Sequence, residues 1–153
     1  MKNISVLLID KNKLKEAMFF ANKSIELDST KEDYWNNRGN VFFALNDFGN
    51  AEKDYQKSVA IKYNYARGLH NIGVLKLKQN QIDDAINYFN LALQQNDKFV
   101  DSYFYRGYSF LLKNIAQLAF QDLRQCLLLA PNHEGARQLM NQYFSSPPNN
   151  NLR

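Results

Sequence analysis

The sequence predicts an all-α chain of stacked helical hairpins. Residue size recurs at an interval of 34 positions, apolar residues inside each unit fall at helical spacing, and six glycines and three prolines are too few for a turn-rich β protein. Gly39, Gly73 and Gly107 keep the 34-residue interval, as do Ala17, Ala51, Ala85 and Ala119. So do Ser24, Ser58, Ala92 and Cys126, the bulky Tyr55, Phe89 and Leu123 with the smaller Ala21, and Asn12, Asn46, Asn80 and Asn114. Two helices cross closely only where a small side chain lets the backbones approach, so the glycines mark one helix of each unit and the alanines the other.

The spacing places helix pairs at about 2 to 11 with 13 to 27, 32 to 45 with 48 to 62, 66 to 79 with 82 to 95, and 100 to 113 with 116 to 129. Leu14, Ala17, Met18, Ala21 and Ile25 make the apolar stripe of the first second-helix; Ile82, Ala85, Ile86, Phe89 and Leu93 make that of the third. Asn12, Asn46, Asn80 and Asn114 suit the left-handed position that stops each first helix, because Asn tolerates positive φ. Pro131 ends the last pair, and a capping helix follows at 133–144. Its inward face is expected to be Ala136, Leu139, Met140 and Tyr143, its outer face Glu134, Arg137, Gln138, Asn141 and Gln142. This gives one domain over 1–144, with units at about 1–31, 32–65, 66–99 and 100–132, and a disordered tail over 145–153, where Ser145-Ser146-Pro147-Pro148 leads an Asn run.

Composition narrows the functional classes. Hydrophobic content of 45% fits a folded chain, and the lone Cys126 excludes a disulfide framework. A net charge of +4 without a basic cluster names no partner. Val6 to Ile9 is far too short for a secretory core or a membrane span, so the expected location is cytoplasmic, with a targeting segment on a longer parent protein the alternative.

A 34-residue hairpin with an aromatic, a small residue four positions on, then alanine and an aromatic on the second helix resembles the tetratricopeptide repeat. Trp35, Gly39, Phe42, Ala51 and Tyr55 carry the likeness in the second copy, Leu69, Gly73, Ala85, Phe89 and Ala92 in the third, and Tyr103, Gly107, Phe110, Ala119 and Pro131 in the fourth. The first copy departs, with Ser5 for the glycine and Met1 for the aromatic. Arg38 and Arg106 stand where the family has a leucine-like residue and Lys76 replaces an aromatic, substitutions expected to weaken packing locally. The resemblance implies a right-handed superhelical solenoid whose first helices line a concave groove, and a non-enzymatic scaffold or adaptor, chaperone-like in character, that binds a peptide or protein segment there.

Helical spacing beside the packing stripe puts Asp33, Asn36, Asn37, Asn40 and Phe43 on that groove in the second copy. The third contributes Arg67, His70, Asn71, Val74 and Lys78, and the fourth Asp101, Phe104, Tyr105, Tyr108 and Leu112. Asn amides both donate and accept, so they suit an extended peptide backbone, while aromatics supply anchoring pockets. The expected binding residues are Asn36, Asn37, Asn40, Arg67, His70, Asn71, Phe104, Tyr105 and Tyr108, set against a bland alternative in which the asparagines form a solvated face and the aromatics pack on the capping helix. Some family members clamp the terminal carboxylate of a chaperone tail with Lys and Asn, then Asn, then Lys and Arg. Begun at the second copy, that pattern keeps Asn40 and Asn71 but puts Asn36, Asp101 and Tyr105 in place of the cations; begun at the first, Lys2, Asn37 and Arg67 suit, while Val6 and Asn71 do not.

Catalytic chemistry has no foothold in the sequence. His70 and His133 stand alone, without a His-x-x-x-His or Cys-x-x-Cys pattern, so no metal or cofactor is expected. His70 is read as a solvated groove residue, Cys126 as a buried thiol, and Asp83-Asp84 as acids favoured at a helix start. Two further classes stand beside peptide binding. RNA recognition by helical repeats is permitted by the basic balance but opposed by the scatter of Lys11, Lys13, Lys15, Lys53, Lys57 and Lys62; self-association into a homo-oligomer would use the first copy or the Tyr-rich end.

Overall fold

The computed structural model describes residues 11–145. Within them the chain forms eight helices and no strand: α1 (Lys11–Leu27), α2 (Glu32–Ala44), α3 (Phe48–Ile61), α4 (Ala66–Lys78), α5 (Ile82–Gln95), α6 (Val100–Leu112), α7 (Ala116–Leu129) and α8 (Glu134–Phe144). α2 packs on α3, α4 on α5 and α6 on α7 as hairpins. α1 leans on α2, α3 on α4, α5 on α6 and α7 on α8, so the pairs stack into a solenoid. The first helix expected at 2–11 and the tail from 146 onward lie outside the described residues.

The hairpins close where small meets large. Ala51, Ala85 and Ala119 are wholly buried, and a Cβ added at Gly39 would sit 2.6 Å from the Tyr55 ring, at Gly73 2.6 Å from the Phe89 ring. At Gly107 the partner is Leu123 and the gap is looser, 3.2 Å. The turns are specified as regularly as the crossings. Asn46, Asn80 and Asn114 hold φ near +59°, +59° and +58°. Behind each, the amide of the following residue reaches the carbonyl five positions back: Asp47 to Phe42, Gln81 to Lys76, Ile115 to Phe110. Each Asn amide meanwhile reaches the carbonyl three back, the double closure that satisfies orphan carbonyls at a helix end. Asn12 departs from its column. Its backbone lies inside α1. Asn permits the left-handed conformation without imposing it, and here its backbone is helical.

Two further expectations are corrected. Arg38 and Arg106 do not weaken packing. Each guanidinium holds a buried carboxylate two-pronged, Arg38 on Asp54 at 2.7 and 2.9 Å and Arg106 on Asp122 at 2.7 and 2.7 Å. Each also donates back to the preceding repeat, to Asn22 and Asn90 respectively. Sixteen residues separate every partner from its arginine, so one cluster is built twice, in alternate repeats. In the repeat between them the same columns carry the buried Ile72 and the partly buried Tyr88, packed in the apolar core. Lys76, too, finds a partner, Glu52 at 2.7 Å.

The second correction concerns α8. Ala136 is buried and Leu139, Met140 and Phe144 pack on Leu123 and Cys126, but Tyr143 is 53% exposed. Phe144 takes the inward place, and α8 starts at Glu134 with the His133 Nδ1 accepting from the Ala136 amide at 3.1 Å as N-cap. Cys126 is fully enclosed beside this helix, and burial pushes its thiol up to about 11, which keeps it unreactive at neutral pH.

Candidate functional site

The first helices α2, α4 and α6 lie side by side and leave a cavity of about 560 Å³ along the solenoid. Its near wall is apolar, from Leu14 on α1 and Val41, Phe43 and Ala44 on α2. Asn40, Asn71 and Val74 make the middle, with Tyr55 behind them, and the far end is His70, Asp101, Phe104 and Tyr105, closed by His133 and Gly135 at the head of α8. Of the residues read from the sequence as binding groups, the structure brings Asn40, His70, Asn71, Phe104 and Tyr105 together on this cavity. Asn36, Asn37, Arg67 and Tyr108 do not line it.

Each of the nine has a definable environment. The Asn71 amide nitrogen donates to Asn36 Oδ1 at 2.8 Å and to Asn40 Oδ1 at 3.1 Å, and Asn40 Oδ1 also accepts from the Tyr55 hydroxyl at 2.9 Å. Asn36 is therefore not a floor residue. It is wholly buried, its Nδ2 has no partner among the described residues, and its role is to tie α2 to α4. Asn37 is half-buried and Tyr108 is exposed. Arg67 is exposed and donates to Asp33 at 3.1 Å, where the Tyr65 hydroxyl also points. Tyr55, burdened by burial and the nearby Asp54, has its phenol pushed well above the ordinary value, so it stays a donor to Asn40.

His70 overturns the expectation of a solvated groove residue. It is 7% exposed, its Nδ1 lies 2.9 Å from the Ser102 hydroxyl, and its ring sits 4.7 Å from Phe99 and 5.6 Å from both Phe89 and Tyr105. Burial drives its pKa down to about 4, against a smaller opposing pull from Asp101, so the imidazole is neutral and acts as a packing ring between α4 and α6. Phe104 and Tyr105 stand at 5.1 Å and 74° to each other, nearly orthogonal faces. Phe104 also stacks on His133 at 4.7 Å, so packing against the cap and lining the cavity are both true of it. Burial, with a smaller effect of Asp101, raises the Tyr105 phenol.

The lining residues missed in the sequence were chiefly Leu14, Tyr55, His133 and Gly135. A signal existed for Gly135: it lies 34 positions after Asp101, so α8 continues the first-helix register and its head belongs beside the groove. For Leu14 and Tyr55, both on second helices or behind the first, periodicity marks core and cannot show that an edge also faces the cavity.

Among the described residues no group of three or more His, Cys, Asp or Glu could hold a metal ion, and no helix is long and apolar enough to cross a membrane. Fold and site together define a helical-hairpin solenoid with a concave, mixed-polarity groove. Family models described as tetratricopeptide repeat match residues 3–31, 32–62 and 70–150, and the chain belongs to the tetratricopeptide repeat family. It is 31% identical over 137 residues to the human tetratricopeptide repeat protein 16, a match covering 84% of this chain and 16% of that protein. The chain thus spans about a sixth of this curated relative. Among solved structures it is similar to the first TPR of Spaghetti (RPAP3) bound to HSP90 peptide SRMEEVD, with TM-score 0.71, 22% identity, and coverage of 75% of this chain and 91% of that one. It is also similar to a chain of the APC/C hetero-tetramer Cut9-Hcn1, with TM-score 0.78, 22% identity, and coverage of 86% and 26%. At these identities the two structures establish the fold.

Proposed function

We propose that the chain is a non-enzymatic interaction module that holds an extended segment of a partner protein in the groove of α2, α4 and α6. The observation that carries this reading is the cavity itself, in which amide hydrogen-bonding capacity at Asn40 and Asn71, unspent among the described residues, lies between an apolar wall and an aromatic end. An extended chain offers backbone donors and acceptors for the first and side chains for the other two. The likeness to a repeat domain bound to an HSP90 peptide supports the mode of binding. It does not transfer the ligand: begun at the second copy the carboxylate-clamp pattern meets Asp101 where a cation belongs, and begun at the first it is broken at Val6 and Asn71. Against the RNA reading, the lining holds no Lys or Arg among the described residues.

Site-directed photo-crosslinking tests the proposal. A benzophenone side chain at Val74, on the groove, should trap a protein partner in extracts of the source cells, and one at the exposed Asn87 on the second helix α5 should not. Equal trapping at both positions, or trapping of nucleic acid at Val74, would overturn it.

A further inference from the structure

The far end of the groove has a chemistry of its own. Asp101 lines it with its side chain 59% exposed, and the His133 imidazole is its neighbour, with Nε2 at 3.8 Å. No Lys or Arg lines the cavity among the described residues. Arg67 on α4 and Arg106 on α6 are engaged by Asp33 and Asp122. Beside the carboxylate, Phe104 and Tyr105 present nearly orthogonal rings, with the His133 ring against Phe104 as a third wall. Gly135 lets the head of α8 pack directly against Phe104, since a Cβ there would fall 2.9 Å from the ring. The chain as a whole carries +4, so this acidic, aromatic end runs against the sign of the molecule.

A carboxylate at the edge of perpendicular aromatic faces is the environment that holds an ammonium or guanidinium: ion pairing from one side, ring quadrupoles from the others, and apolar surface for the methylene stem. We infer that the groove selects a partner segment carrying a basic residue, Arg or Lys, whose side chain lodges between Asp101, Phe104 and Tyr105. This rests on the groove-binding reading above and names the chemistry of its occupant.

The test uses three pools of fluorescent dodecapeptides, degenerate in sequence and blocked at both termini. One holds Arg and Lys but no acids, one Asp and Glu but no bases, and one no charge. Polarisation at pH 7.5 and physiological salt is followed for the full chain and for Asp101→Asn and Asp101→Lys, with circular dichroism confirming that both variants fold. The basic pool should bind at least about tenfold tighter than the acidic pool, the reverse of what net charge favours. Asp101→Asn should weaken the basic pool about fivefold more than the uncharged pool, and Asp101→Lys should invert the order. Binding of the uncharged pool with no basic preference, or a basic preference indifferent to Asp101, overturns this inference and leaves groove binding standing. No binding of any pool overturns both.

Discussion

The two seams between first helices occupy the same structural columns and are built from opposite chemistries. Between α2 and α4 the seam is polar: Asn36, Asn71 and Asn40 share hydrogen bonds, and Arg67 reaches Asp33. Between α4 and α6 it is aromatic, with His70 enclosed by Phe89, Phe99 and Tyr105 and a single polar contact to Ser102. Column for column, Asn36 corresponds to His70 and Phe104, and Asn71 to Tyr105. The backbone geometry of the stack thus tolerates either solution. What the column dictates is that the space be filled, so the groove is free to change character along its length.

Removing the filler of the aromatic seam should have the largest effect. Phe89 is wholly buried and touches both His70 and Tyr105, so Phe89→Ala is expected to lose about 4 kcal/mol of stability in urea unfolding at pH 7. The His70 ring gives the next. Its folded pKa of about 4 lies below the ordinary 6.5, so protonation favours the unfolded chain. Its stabilising contribution is complete above pH 6.5 and falls away as pH drops towards 4, the sign for a histidine that folds neutral. Between pH 7.5 and 5 the wild type should lose about 2 kcal/mol more than a His70→Leu variant, measured by urea midpoints at each pH. Equal losses would show that the imidazole remains solvated.

The polar seam should respond less and through different terms. Asn71→Ala strips the Asn36 oxygen of its donor in a fully buried place, for an expected loss of about 1 to 2 kcal/mol, read in the same unfolding assay. Smallest is Arg67→Ala, because both it and Asp33 are half in solvent; the change should be under about 0.5 kcal/mol and shrink further in salt. If the two asparagine and arginine changes outweighed Phe89→Ala, the polar seam rather than the aromatic one would be the stronger joint.

How far the sequence reached differs sharply between fold and site. The Gly39, Gly73 and Gly107 crossings and the Asn46, Asn80 and Asn114 turns could be read in advance because each depends on one residue's size or backbone tolerance, repeated in register. The arginine clusters could not. Arg38 looks like a damaged packing position until Asp54 and Asn22, sixteen residues away in opposite directions, are seen to meet it. His70 was misjudged for the same reason: helical spacing gave its face correctly, but its exposure depends on Phe99, at the head of α6, and Tyr105 of the next repeat closing over it.

The linear order of residues was enough to settle the hairpin period, the turns and the family, since these follow from local size and dihedral preference copied from unit to unit. Which asparagine is buried and which borders the cavity, whether an arginine disturbs or braces, and that the head of α8 shuts the groove were decided only when distant repeats came together. Burial and pairing are properties of the space between side chains, and that space is made by neighbours the local sequence does not contain.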